Sequence, residues 1–323
     1  MKSSNNLTKK TWPLNFYKFN KKSFPLLIAL LSVGFLSCSS VSNNTEFISD
    51  TDLDMAAEIM GSSIADQQSG LMNSIYDALS NISETGISYG KDQMFPFKRD
   101  KKDRGGRGFE KSFSHTYDST NGVHTLSFER SFEKGLFSSS ISTLQKIRYS
   151  DLEGNFIARP KLRRNAINQV YLHSTKSGTN SNPRKSSEFT KIDSLNFSGL
   201  HVTQNLLQMH GSHRGFGSGS AVLRDSSNHS RSFVVQVDFE DITIDKDTLV
   251  TYGNLENAVS GTLSYSMIIN KVINEVPEET VIEGTIDLVE DGTALMKFYK
   301  YNRIYRLGLK DGDIKERDRK GSK

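Results

Sequence analysis

Cysteine is nearly missing from this 323-residue chain: Cys38 is the only one. One thiol permits no internal disulfide, so the folded part must be held together by its core. Long apolar runs are missing too. The longest, Pro25–Leu36, falls short of the roughly 20 residues that a membrane-spanning helix needs. No charge sign dominates, because 41 Lys and Arg face 37 Asp and Glu. Six of those basic residues (Lys2, Lys9, Lys10, Lys18, Lys21, Lys22) lie in the first 24 positions, which hold no acidic residue. From residue 38 onward the balance is therefore 35 − 37 = −2, which supplies no field for nucleic acid. Catalytic signatures are absent as well. There is no Gly-x-Ser-x-Gly elbow, no His-Glu-x-x-His and no repeat at solenoid or propeller periods. Neither an enzyme activity nor a cofactor is expected.

What is present begins with the amino terminus. A basic stretch, a short apolar core and small residues describe a secretory signal. Ser37-Cys38-Ser39-Ser40 then resembles the lipobox of bacterial lipoproteins, a resemblance confined to about the first forty residues. That class favours Leu three places before the cysteine; here Phe35 stands there, with Leu36 next. The resemblance implies cleavage after residue 37, acylation of Cys38, and anchoring in the cell envelope by fatty chains such as palmitate. Ser39 rather than Asp after the cysteine points to the outer membrane. A buried core cysteine, simple secretion and an uncleaved anchor are the alternatives. Residues 39–49 are rich in Ser, Asn and Thr and read as a flexible tether.

From Asp50 the pattern becomes helical. Leu53, Ala56, Ala57, Met60, Ile64, Leu71, Ile75, Ala78 and Leu79 mark one apolar face, either one long helix or two broken near Gly70, within a helical segment 50–90. Asp50, Asp52 and Asp54 suit its start, where free N–H groups favour anions. The calcium-loop reading of the same acids fails, because Met55 and Gly61 occupy the places of the required Gly and Glu. Residues 91–108 form a basic, Gly-rich loop. Lys98, Arg99, Lys101, Lys102, Arg104 and Arg107 there are candidates for contact with anionic head groups or envelope polymers.

Beyond Phe109 the period is two, over 123–132, 141–149, 169–174, 188–200, 232–244, 262–272 and a closing meander over 280–310. Asn121-Gly122 is a hairpin turn signal. Residues 175–187 and 211–220, full of Ser, Asn and Gly, read as loops interrupting the sheet, and 313–323 as a charged tail. The expected fold is mainly β (α+β): a large curved antiparallel sheet, or an open barrel or half-barrel, over 109–312, with the N-terminal helix packed on it.

Few side chains stand out as chemistry. His210 and His213 are three apart, and they are the only candidates for a metal, which would want more ligands than they supply. Asp241, Asp245 and Asp247 are expected in a hydrated turn. Ser131-x-x-Lys134 matches a penicillin-binding pattern but closes a strand instead of opening a helix. Three functions follow as expectations: a non-enzymatic envelope lipoprotein binding an apolar or lipid-like ligand in a sheet groove; an assembly factor contacting envelope proteins or polymers; and, behind both, an unrecognised hydrolase, which needs His210 or His213 within reach of a serine and a carboxylate. For the second, the basic segment Arg159–Arg164 is a further contact candidate.

Overall fold

The computed structural model describes residues 48–83, 86–88, 110–222, 228–273 and 276–317. Cys38, the leader, most of the tether and the basic segment Lys98–Arg107 lie outside the described residues.

Two helices open the described chain, α1 (Asp50–Ile64) and α2 (Leu71–Ala78). The Ser49 side chain caps α1 by accepting from the Asp52 backbone N–H at 3.2 Å, and its hydroxyl donates to the Asp52 carboxylate at 2.7 Å. The break falls where the two glycines lie. A Cβ at Gly61 would sit 2.6 Å from the Gly312 carbonyl oxygen, and one at Gly70 would sit 2.3 Å from that of Ser63. Gly61, inside α1, and Gly70, the N-cap of α2, both serve close backbone approach, which at Gly61 offsets the roughly 1 kcal/mol penalty of a helix-interior glycine. The helical segment is shorter than the sequence implied. A small hairpin, β1 (Asn81–Ser83) with β2 (Gly86–Ser88), follows α2, so Gly86 belongs to a strand and does not stop a helix.

The rest is one antiparallel meander: β3 (Glu110–Asp118), β4 (Val123–Lys134), β5 (Phe137–Ser150), β6 (Gln169–Asn182), β7 (Lys185–Ser198), β8 (Leu206–Val222) and β9 (Asn228–Asp245). Helix α3 (Lys246–Tyr252) leads on to β10 (Val259–Ile273), β11 (Val276–Val289), β12 (Thr293–Phe298), β13 (Ile304–Gly308) and β14 (Ile314–Arg317). The twelve strands pair strictly in chain order, and β3 does not meet β14, so the sheet is curved and unclosed. Asn121-Gly122 does form the β3–β4 turn, with Gly122 at φ 66°.

Two segments expected as loops are strands. Residues 175–182 complete β6 and 185–187 open β7, with only a two-residue turn between them; 211–220 lie inside β8. Ser and Gly are weak strand formers, but here each segment pairs with a strand on both sides, and ladder position overrides propensity. Likewise Ile314–Arg317, placed in the tail by sequence, adds a last strand.

Alternate residues of the long strands face the helices. Leu172, Leu195, Phe197, Val235, Val237 and Met267 on that face pack with Met60, Ile75 and Leu79 into one core. Ion pairs and hydrogen bonds fix α1 across the sheet: Lys271 to Asp52, Arg303 to Asp50 at 2.7 Å, and the Tyr305 hydroxyl to Asp54 at 2.5 Å.

Candidate functional site

His210 and His213 do not converge. His213 points to the helix side of β8 and is fully buried, whereas His210 is exposed on the other face, 3.2 Å from the Asn196 amide. Side-chain alternation separates them, and among the described residues no group of three His, Cys, Asp or Glu gathers for a metal. Asp245 caps α3 by accepting from the Thr248 N–H at 2.7 Å.

His213 belongs instead to a buried polar network that no motif in the chain announces. Its Nδ1 lies 2.7 Å from Asp193 Oδ1, and the Ser74 hydroxyl donates to Asp193 Oδ2 at 2.5 Å. Lys176 Nζ donates to Ser74 at 2.9 Å and to Asn73 at 2.5 Å, and it stands 3.3 Å from Asp77, which also accepts from Gln145 at 2.8 Å. Burial alone would raise Asp193, but His213, Lys176 and Ser74 together hold its carboxyl below the usual range. Next to it Lys191 donates to the carbonyls of Ser62 and Gln68, at 2.7 and 2.8 Å. Burial pushes this amine down to about 7; Asp193 opposes that and Lys176 adds to it.

A serine, a histidine and a carboxylate in contact invite a hydrolase reading, and the geometry rejects it. Ser74 lies on the carboxylate, not on His213 Nε2, so the hydroxyl has no imidazole base. All three side chains have zero exposure, which leaves a substrate no approach. The network is a structural clamp that seats α2 on β5 to β8.

The opposite face offers an open site. At the hairpin-tip end of β3 to β9 the sheet forms a trough of about 760 Å³. Two adjacent rows of outward side chains line it. One runs Glu129, Ser142, Ser177, Thr190, Phe216, Val234 across neighbouring strands, and the next runs Ser140, Thr179, Glu188, Ser218, Ser232. Crossing seven strands, the trough covers six inter-strand spacings, about 29 Å at ~4.8 Å each. Between the rows Gly178 and Gly217 reach the lining. The Phe189 ring lies over Gly178 and the Phe233 ring over Gly217 from the helix side, where a Cβ would be 2.6 and 2.4 Å from them. Absence of a Cβ lets aromatic rings cover the backbone from below while the upper face stays shallow.

The trough's chemistry is that of hydroxyls. Nine of its nineteen lining residues are Ser or Thr, beside three phenylalanines (Phe189, Phe216 and Phe233), one valine and one isoleucine, so hydroxyls lie among aromatic and aliphatic surface. Ser140 and Thr179 share a hydrogen bond of 2.8 Å, and Ser218 donates to Glu188 at 2.9 Å. Its outward charged groups are Glu129 and Glu188, which disfavour a polyanion. Phe216 supplies an aromatic surface, with the Arg214 guanidinium 5.7 Å from its ring. Sequence reading missed this site because 177–179 and 216–218 look like loop composition and only register aligns them in rows with the neighbouring strands. No family model matches this chain, and no curated protein or solved structure is similar to it.

Proposed function

We propose that this chain is an exported envelope lipoprotein that acts without catalysis, holding an extended, hydroxyl-rich envelope polymer in the trough. The basic leader, its apolar core and the Ser-Cys-Ser junction support export and acylation at Cys38, with Ser39 favouring the outer membrane. A lipoprotein amino terminus carries more than one acyl chain, which stable anchoring requires.

The observation that carries the binding reading is the double row of Ser and Thr with two carboxylates and one aromatic ring. Hydroxyls and carboxylates exchange hydrogen bonds with sugar hydroxyls, and an aromatic face covers the apolar side of a sugar ring. The apolar-ligand reading loses support on the other face, because α1 and α2 fill the helix side of the sheet with Met60, Met72, Ile75 and Leu79, all buried.

Co-sedimentation with purified envelope glycan polymer tests the reading. Ser142→Trp/Ser177→Trp fills the trough from an exposed face and should lower pelleting at least tenfold, about 1.4 kcal/mol. Cys38→Ala should move the chain from membranes to the soluble fraction and leave polymer binding intact. Pelleting unchanged by the tryptophans rejects the trough; palmitate labelling that Cys38→Ala does not remove rejects acylation at that residue.

A further inference from the structure

The end of the sheet opposite the hairpin tips carries a second surface. Three segments meet there: the β5–β6 loop (151–168), the β7–β8 loop (199–205) and α3. Backbone bonds join them. The Leu200 N–H donates to the Asn168 carbonyl at 3.0 Å, and the Lys246 N–H donates to that of Asn205 at 3.0 Å. Lys246 Nζ adds bonds to the His201 and Gln204 carbonyls, at 2.8 and 2.6 Å.

On this joined platform apolar side chains project outward. Leu162 is 73 % exposed, Val202 66 %, Val250 60 % and Tyr252 59 %. Each segment thus shows water at least one large apolar group, while its anchor (Ile157, Leu200, Leu249) is buried. Single exposed apolar residues are ordinary; apolar residues on three joined segments at one end of a sheet mark a contact surface. Arg159, Lys161, Arg163 and Arg164 flank Leu162 in the longest loop. Against Asp151 and Glu153 they give that loop a net charge of 4 − 2 = +2, and the other two segments are neutral. Asp151 is turned to its own loop, where it accepts from the N–H groups of Glu153 and Asn155 at 3.0 and 2.9 Å.

We propose that this loop end docks on an anionic lipid surface, with Leu162, Val202, Val250 and Tyr252 entering the headgroup layer and the arginines lying among lipid phosphates. Isolated apolar tips beside cations fit a bilayer interface better than a protein partner, whose interface would bury a continuous apolar centre depleted in Lys. A tyrosine at the rim suits the same layer. The surface is separate from the trough and from the acyl site, so it stands or falls without them.

Because residues 26–36 give the full chain some hold on any vesicle, the readout must be local. Hydrogen exchange of the full chain is measured with phosphatidylcholine vesicles, with and without phosphatidylglycerol. Slower exchange over 159–164, 200–204 and 247–252 is expected only with phosphatidylglycerol. Leu162→Asp/Val202→Asp/Val250→Asp should abolish that slowing while the slow amides of β6 to β9 stay unchanged, showing an intact fold. Arg163→Gln/Arg164→Gln should weaken the local contact roughly 30-fold, as two cations near an anionic surface imply. No slowing on either vesicle, equal slowing on both, or slowing that requires another envelope protein instead of lipid overturns the proposal.

Discussion

Lys191 sits in an environment far from what its type implies. A neutral amine has two N–H groups, and two carbonyls, those of Ser62 and Gln68, receive them. The folded chain therefore favours the neutral form above about 7, whereas an unfolded chain keeps this lysine charged up to 10.5. Across that window the unfolded state binds more protons, so stability should climb with pH. Denaturant titrations at pH 7 and pH 9 should show the climb, and Lys191→Met should flatten it. At Asp193, replacement by Asn leaves Lys176 and His213 facing a neutral group in a buried site. The expected loss is about 3–5 kcal/mol, read from the unfolding midpoint at constant slope. None of this was legible in the sequence. Asp193, His213, Ser74 and Lys176 are far apart along the chain, and each alone is an ordinary polar residue. His213 drew attention only for its spacing from His210, and β8 sends those two rings to opposite faces.

At the scale of elements, periodicity told strands from helices well wherever the inward positions were apolar, as in Val123–Phe132 and the closing meander. It failed where inward positions became small or polar toward the hairpin tips. Gly178, Gly215, Gly217 and Gly219 break the alternation of hydrophobicity without breaking the ladder. Gly178 and Gly217 reach the floor of the trough, so the stretches read as loops contribute part of the candidate site. Gly217→Val tests this arrangement. Its side chain would enter the space of the Phe233 ring and should destabilise the fold by about 1–3 kcal/mol. Adding Phe233→Ala should recover part of that loss, and simple additivity in the double-mutant cycle would show that the two positions do not touch. The helical face of residues 50–79 was legible from its three- and four-residue steps. The glycine break was legible as one of two options, settled by the close approach of Gly70 to Ser63.

Over the whole molecule, the two ends of the meander differ in chemistry. Hairpin tips and trough lie at one, the basic and apolar loops at the other, and β6 to β9 connect them with 14 to 18 residues each. At about 3.3 Å per residue the strands are roughly 45–60 Å long, enough to hold a polymer site clear of a bilayer touched by the loops. The mainly β class and the open sheet followed from period-two patterning. Which face would be filled did not, because α1 and α2 compete with any ligand for the helix side and only packing decides that. The central claim is that the outward trough holds an envelope polymer rich in hydroxyls. A photo-crosslinking side chain at Ser177 in intact cells tests it most directly, with the same group at Tyr171, six residues along the same face of β6, as control. Adducts at 177, absent at 171 and removed by glycan-cleaving enzymes but not by protease, are the expected result; equal adducts at both positions, or adducts at 177 that only protease removes, would contradict the account.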